Sequence, residues 1–200
     1  MNKAYLKGTI KNIEPSHEID GIQFNKANLI TKRTNGQEDI VNLRFKAFSN
    51  KHKENDEISI VGNIRSYSYK VNEDKNKVVI YVFTYFDEPE EELAASNVVN
   101  IDGRICKMNV LRKSKGGRDN LHFIIANNLV LTEGSKRLNS YIPCIAWGTI
   151  AKEMSQLKVN DKIEIEGELH SREHKKVHPD GEVEFRVAHE LLVTGYKLVD

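Results

Sequence analysis

The sequence predicts an all-β protein made of two tandem five-stranded barrels, each with a short helix between its third and fourth strands. Two observations support this prediction. Apolar and polar residues alternate with a period of two along most of the chain, which is typical of half-buried strands. In addition, the stretch from Tyr141 to Gly167 combines a strand, a helical piece and a second strand, and the same arrangement occurs once in the first half.

Three correspondences align the two halves. They are Ala47–Ser49 with Ala146–Gly148, Ile58–Gly62 with Ile163–Gly167, and Phe24 with Phe123. Halves of about 100 residues with long strands fit a small Greek-key barrel, for which the OB-fold is the leading candidate. Glycines such as Gly62 and Gly167 inside strands mark the bends that closing a small barrel requires.

The first half contains five predicted strands. An alternating segment begins at Tyr5 and is interrupted by Pro15 and Gly21. The other four strands are predicted at 24–34, 40–48, 58–70 and 77–86. A short polar stretch at 51–55 allows one helical turn at most.

The second half repeats this series after an acidic, proline-broken run from Asp87 to Glu92. Its strands are predicted at 97–108, 121–131, 138–147, 163–174 and 183–198, with a short helix at 150–157. The basic segment from Arg112 to Arg118 is predicted to be a flexible loop. We therefore expect a first OB-fold at 1–86, an acidic linker at 87–96 and a second OB-fold at 97–200.

The composition bears on the kind of partner and on the cellular location of the protein. The net charge of +1 neither indicates nor excludes a polyanionic partner, because a neutral total can hide a basic face. No apolar run reaches membrane length, and the N-terminus has no signal core, so we expect a cytoplasmic protein without a membrane partner. Cys106 and Cys144 lie in apolar strand patterns and are predicted to be buried, reduced thiols.

Four pieces of the second half occur in a characteristic order and spacing. They are Asn97–Ile105, Phe123–Ala126, Cys144–Ala151 and Ile163–Leu169. Together they resemble the bacterial single-stranded DNA-binding protein (SSB) family, and the first half resembles it more weakly through 6–10 and 58–64. The resemblance implies OB-folds that bind single-stranded DNA in replication, recombination and repair. Because the family usually assembles four OB-folds, it also implies a homodimer.

The resemblance further implies outward aromatic positions on which bases stack. Tyr141 and Trp147 match two of them, and a third holds His174, with Tyr69 as its counterpart in the first half. A fourth, at Val130 or Leu131, is not aromatic. The family also has a tail with an acidic tip, and the sequence contains no segment that resembles it. Contacts with other replication proteins through such a tail are therefore not predicted, and other contacts with them stay open.

The residues themselves point to the same surface. Binding a strand without sequence preference requires cations for the phosphates and flat rings for the bases. The outward faces of the third and fourth strands of the first half supply Arg44, Lys46, Phe48, Arg65, Tyr67 and Tyr69. The second half supplies Arg112, Lys113, Lys115, Arg118, Tyr141, Trp147, Arg172 and His174. We expect the first barrel to bind more by charge and the second more by stacking.

Other interpretations stay open at this point. Each ring could instead pack against a neighbouring subunit, so an OB-fold adaptor or dimerisation protein of a replication complex is an alternative, as is an RNA-binding module. His170, His174 and His178 recur every four residues, but they run from a strand into a turn, so no metal site is predicted. No nucleophile stands beside a base, and neither an enzyme nor a cofactor is expected.

Overall fold

The computed structural model describes residues 1–72, 75–86, 97–129, 138–177 and 183–199, with side chains except at 71, 72, 75, 76, 174–177 and 184–186. Within these residues, 11 strands form one continuous sheet that curls into two barrels. None of the helices in the described part is long and apolar enough to span a bilayer. The predicted acidic linker at 87–96 lies outside the described residues, and it stays a prediction.

The first barrel contains five strands and a 3₁₀ turn. They are β1 (Asn2–Ile19), β2 (Ile22–Lys32), β3 (Glu38–Lys46), the 3₁₀ turn Ala47–Ser49, β4 (Glu57–Asn72) and β5 (Lys75–Thr84). The spatial order is β2-β3-β5-β4-β1, and a further pairing of β1 with β2 closes the barrel. Strands β3 and β5 are parallel, whereas the other pairs are antiparallel.

The second barrel repeats this arrangement with one added short strand. Its elements are β6 (Asn97–Met108), β7 (Arg112–Lys113), β8 (Asp119–Leu129), β9 (Leu138–Trp147), α1 (Gly148–Met154), β10 (Lys162–Val177) and β11 (Val183–Val199). Its order is β8-β9-β11-β10-β6, closed by pairing of β6 with β8. The prediction of two tandem five-stranded barrels is therefore confirmed.

The alternation that predicted the strands also places the core. Leu43 and Phe45 on β3 are buried, as are Ile142, Cys144 and Ala146 on β9. Two of the glycines, one in each fourth strand, occur where neighbouring strands approach closely. A Cβ atom on Gly62 would lie 2.7 Å from the carbonyl oxygen of Phe83, and one on Gly167 would lie 2.3 Å from that of Leu192. These contacts are too short for any side chain, which explains the glycine in each fourth strand.

The structure corrects the predicted register between the halves. Leu43 pairs in parallel with Val82 on β5, and Cys144 pairs in parallel with Leu191 on β11. Val82 and Leu191 are equivalent by their pairing with the fourth strands, so Leu43 and Cys144 occupy equivalent positions. Lys46, rather than Phe48, therefore corresponds to Trp147. A shift of two residues keeps every side chain on its face, so the predicted faces of the third strand survive the correction.

Three local predictions were wrong. Strand β1 does not stop at Pro15 but continues to Ile19 through two register shifts, since bulges accommodate the proline. The helical turn of the first barrel is at Ala47–Ser49, not at 51–55. Cys106 is exposed, whereas Cys144 is buried as predicted. Cys106 is the extra residue of a bulge between Ile105 and Lys107, and it points away from the core.

The two barrels join through their first strands. Strands β1 and β6 pair antiparallel, with Asn2 opposite Ile101 and Leu6 opposite Asn97. The Asn2 carboxamide bonds to both backbone groups of Ile64 at 2.8 Å, and the Asn97 carboxamide bonds to those of Leu169 at 2.7 and 2.9 Å. The matching carboxamide contacts make Asn2 and Asn97 equivalent, and the antiparallel pairing of these equivalent strands relates the barrels by an approximate two-fold axis.

A second set of contacts connects the fourth strand of each barrel to the third strand of the other. The Tyr141 N–H donates to Ser66 Oγ at 2.7 Å, and the Ile40 N–H donates to Ser171 Oγ at 2.8 Å. The symmetry breaks at Asp39, a fully buried carboxylate that accepts the Ser171 N–H at 2.6 Å.

A partly buried arginine neutralises this carboxylate. Arg33 Nε and Nη2 donate to the two Asp39 oxygens at 2.6 and 2.5 Å. Burial alone would raise the pKa of Asp39, but the hydrogen bonds from Arg33 and the Ser171 N–H outweigh it and hold this pKa below its ordinary value. The inter-barrel contact therefore contains a charged carboxylate.

Candidate nucleic-acid interface

The outward side of β3, β4 and β5 forms a surface of rings and cations, called here the first-barrel face. Its residues alternate with the core residues of the same strands, so they point away from the barrel interior. The face consists of Arg44, Lys46, Arg65, Tyr67, Tyr69, Tyr81, Phe83 and Tyr85. Five of these eight were predicted site residues, and the structure brings them together.

Arg44 is fixed at the centre of the first-barrel face. Its Nη1 donates to Ser16 Oγ at 2.7 Å, and its Nη2 donates to Tyr67 Oη at 3.2 Å. The guanidinium carbon lies 5.0 Å from the Tyr67 ring centroid and 5.3 Å from that of Tyr81, within cation–π range. The cation is thus oriented in advance between two rings.

Lys46 lies at one end of this face, between a predicted ring and one that was not predicted. Its Nζ is 5.6 Å from the Phe48 ring centroid and 5.8 Å from that of Tyr85. Phe48 is 76% exposed, because the 3₁₀ turn that holds it lies beyond the end of β3. An exposed phenylalanine beside a lysine is suited to stacking a base next to a phosphate contact.

Arg65 is partly covered by the neighbouring rings. Its guanidinium carbon lies 4.0 Å from the Phe83 ring centroid, and its Nε and Nη2 have no hydrogen-bond partner among the described residues. Burial lowers the pKa of Arg65 from the ordinary arginine value, although nearby Tyr81 and Tyr85 oppose the shift. An arginine remains charged in spite of such a shift. Arg65 therefore holds unused hydrogen-bond donors beneath the rings.

Sequence reasoning missed the aromatic residues of β5. Tyr81, Phe83 and Tyr85 alternate with core residues, and this alternation was visible in the sequence. They lie next to β3 and β4 because β5 is inserted between those strands. The Tyr67 and Tyr81 centroids are 5.9 Å apart, and those of Phe83 and Tyr85 are 5.2 Å apart. Tyr81 and Phe83 on β5, with Tyr85 just after it, therefore add three rings to the two, Tyr67 and Tyr69, that β4 supplies.

The basic segment of the second barrel is a structured hairpin, not the flexible loop that was predicted. β7 pairs with β8, and a turn from Ser114 to Gly117 connects them. Gly117 has a φ of 78°, which favours glycine. All four predicted cations, Arg112, Lys113, Lys115 and Arg118, are exposed. Lys113 pairs with Asp119 at 3.4 Å, and so does Lys152.

Arg118 and Trp147 form the second cation–aromatic pair of interest. The Arg118 guanidinium carbon lies 5.6 Å from the Trp147 ring. Trp147 ends β9 and is the residue before α1, so the hairpin and the helix start hold it between them. Two predicted residues from distant parts of the sequence are thereby brought into contact.

The remaining predicted residues of the second barrel lie apart from this pair. Tyr141 is 51% exposed at the start of β9, and its backbone N–H bonds to the first barrel. Arg172 is exposed on β10. The side chain of His174 lies outside the described residues.

The corresponding surface of the second barrel is chemically different. The strand pairings align Tyr81 with Glu190, Phe83 with Leu192, Tyr85 with Thr194 and Arg44 with Ile145. Ile145 alternates with the core residues of β9 in the same way as Tyr141 and Trp147, but it is only 4% exposed. Glu190 lies 3.9 Å from His122, and Glu168 lies 2.9 Å from His170. A carboxylate, an aliphatic side chain and a hydroxyl thus replace the three rings of the first barrel.

Metal binding is not indicated by the arrangement of side chains. Among the residues that the structure describes, no group of three or more His, Cys, Asp and Glu side chains is placed to hold an ion. The histidine pattern from His170 to His178 extends into residues outside the description.

Comparison with known proteins identifies the second barrel. Residues 96–193 match the model of the single-strand binding protein family. The second barrel is therefore similar to the single-strand binding protein family over nearly its whole length. That family consists of non-enzymatic proteins that bind single-stranded DNA. The resemblance seen in the sequence is therefore confirmed. A search of curated proteins finds no match.

Solved structures extend the similarity to the whole fold. The wild-type single-stranded DNA-binding protein from Thermus aquaticus matches with a TM-score of 0.71 and 18% identity, covering 100% of this chain and 93% of the other. A deletion mutant of that protein matches with the same TM-score and 17% identity, covering 100% and 94%. The Thermus aquaticus protein has two OB-folds in one chain. The present chain therefore has the tandem OB-fold architecture.

Proposed function

We propose that this protein binds single-stranded DNA through the first-barrel face, with a second contact at Arg118 and Trp147, and protects the strand in replication, recombination or repair. The observation that carries the proposal is the Arg44 guanidinium held between Tyr67 and Tyr81. A guanidinium can bind a phosphate and tyrosine rings can stack bases, and here both occur together on a surface that points away from the core. Sequence-tolerant binding follows, because every base has a π-face.

The two barrels contribute to strand binding in a different way from the one expected from the sequence. The first barrel carries cations and also more rings, whereas the surface of the second barrel has Glu168 and Glu190. We infer that the first barrel supplies most of the binding energy. The second contributes Trp147, the basic hairpin and, in the same hypothesis, Tyr141, Arg172 and His174.

The only tryptophan provides a direct test. Titration with oligo-dT is expected to quench Trp147 emission, because a stacked base would contact its ring beside Arg118. Raising the salt concentration should reverse the quenching, since phosphate contacts weaken with salt by about 0.7 log units per contact for each tenfold rise. Unchanged emission at low salt, together with no gel shift of the oligonucleotide, would refute strand binding.

A homodimer with four OB-folds is part of the proposal, and it comes from the family's usual assembly. Multi-angle light scattering of the full chain is expected to give twice the 22.9 kDa mass of one chain. A monomer at micromolar concentration would argue against a four-barrel assembly without affecting strand binding by one chain.

One observation favours a second candidate, in which only one barrel touches nucleic acid and the other serves as an adaptor. That observation is the replacement of Tyr81 by Glu190 at the equivalent position of the second barrel. Carboxylates repel phosphates, so this surface is better suited to a protein than to a DNA strand. The Trp147 titration separates the candidates, since an adaptor barrel would leave its emission unchanged while the oligonucleotide still binds.

A further inference from the structure

A groove of about 290 Å³ includes part of the first-barrel face. Tyr67 and Tyr81 line it from β4 and β5 on one side of β3, and Glu14 and Lys26 line it from β1 and β2 on the other. Asn28 and Asn42 line the space between them. Arg44 lines it from β3 itself. The volume is near the lower limit of about 300 Å³ for small-molecule pockets, so a single nucleobase is a suitable occupant.

The groove contains hydrogen-bonding atoms that the protein does not use. Asn42 Nδ2 donates to the Ile80 carbonyl at 3.0 Å, which leaves its Oδ1 as an acceptor. Among the described residues, the Asn28 carboxamide has no partner. Lys26 Nζ engages Glu14 Oε2 at 3.1 Å, and no described residue engages Glu14 Oε1. An aromatic wall facing such groups resembles sites that read an unstacked base by its edge.

We propose that this groove is a base-selective pocket that takes a nucleobase with an exocyclic amino group. The inference rests on the proposed strand binding and adds a modest base preference to a surface that otherwise tolerates any sequence. A carboxylate only accepts hydrogen bonds, so Glu14 favours a base edge with an amino donor. Carboxylates pair with the cytosine amino group in this way. The 4-oxo group of uracil or thymine is itself an acceptor, so it cannot form a hydrogen bond with the Glu14 carboxylate.

Oligo-dC and oligo-dU test the proposal, because cytosine and uracil are alike in size and differ only on the edge that Glu14 would read. Fluorescence anisotropy with the full chain is expected to show about fivefold tighter binding of oligo-dC, the lower end for one good base contact. Glu14→Gln should bring the ratio to about one without weakening oligo-dU binding, because glutamine both donates and accepts.

Glu18→Gln is the matched control. Glu18 lies on the same strand as Glu14, is exposed, and does not line the groove. Both substitutions remove one negative charge, so both strengthen phosphate binding in general, but only Glu14→Gln should change the dC to dU ratio.

The outcomes separate this inference from the proposed function. If neither oligonucleotide binds, strand binding itself is refuted, and the pocket with it. If both bind and the ratio is one in the natural protein, or if a preference for dC survives in Glu14→Gln, the pocket is overturned while strand binding stands.

Discussion

Replacement of both Tyr67 and Tyr81 by alanine is expected to weaken oligo-dT binding by at least about tenfold. Each stacked base contributes about 1–3 kcal/mol, and the two rings also orient the Arg44 guanidinium at 5.0 and 5.3 Å. The double substitution therefore removes stacking and leaves the central cation without its aromatic support. Fluorescence anisotropy with labelled oligo-dT gives the change in Kd directly.

Two further variants show whether the rings themselves are responsible. The pair Tyr67→Phe and Tyr81→Phe keeps both ring faces and should bind within about twofold of the natural protein, because stacking requires only a π-face. Tyr141→Ala, on the second barrel, should weaken binding less than the double alanine variant. If the alanine pair binds as well as the phenylalanine pair, the first-barrel face is not the stacking surface.

Asp39→Ala is expected to lower the free energy of unfolding by about 3–5 kcal/mol, the usual cost of removing one partner from a buried ion pair. The substitution leaves the Arg33 guanidinium without its bidentate partner and the Ser171 N–H without its acceptor. Because these groups lie between the barrels, the effect should appear as loss of inter-barrel cooperativity in denaturant unfolding. Glu38→Ala, at the exposed neighbouring residue, should change stability by less than about 0.5 kcal/mol.

The same pair predicts a pH dependence. The folded-state pKa of Asp39 is below its ordinary value of 3.8, so its stabilisation is complete above that pH and is lost as the pH falls through the folded-state pKa. The stability difference between the natural protein and Asp39→Ala should therefore shrink in acid. A difference that stays constant from neutral pH to pH values well below 3.8 would contradict a charged Asp39.

The barrel architecture was predictable because each strand buries one face. Alternation along β3, β4 and β9 placed their core residues correctly, and the glycines at 62 and 167 marked the close strand contacts. The register between halves was harder. Alternation determines which face a side chain occupies but not its position along the strand, so a shift of two residues leaves the pattern unchanged.

The candidate site was only partly predictable, for a related reason. Tyr81 joins Arg44 and Tyr67 because a parallel pairing places β5 beside β3, and parallel neighbours are distant in sequence. The inter-barrel contacts were missed because much of the joining of β1 to β6 uses backbone groups, which every residue carries. The bulge that exposes Cys106 was also missed, because the alternation on either side of it is that of a regular strand.

The most direct test of strand binding by the first-barrel face is a competition measured by fluorescence anisotropy. Labelled oligo-dT bound to the full chain is challenged with unlabelled oligo-dT or with duplex DNA of equal length. We predict that the unlabelled single strand displaces the label and that the duplex does not, because stacked, paired bases cannot reach Tyr67, Tyr81 and Tyr85. Equal displacement by the duplex, or no binding of the labelled strand, would contradict the proposed function.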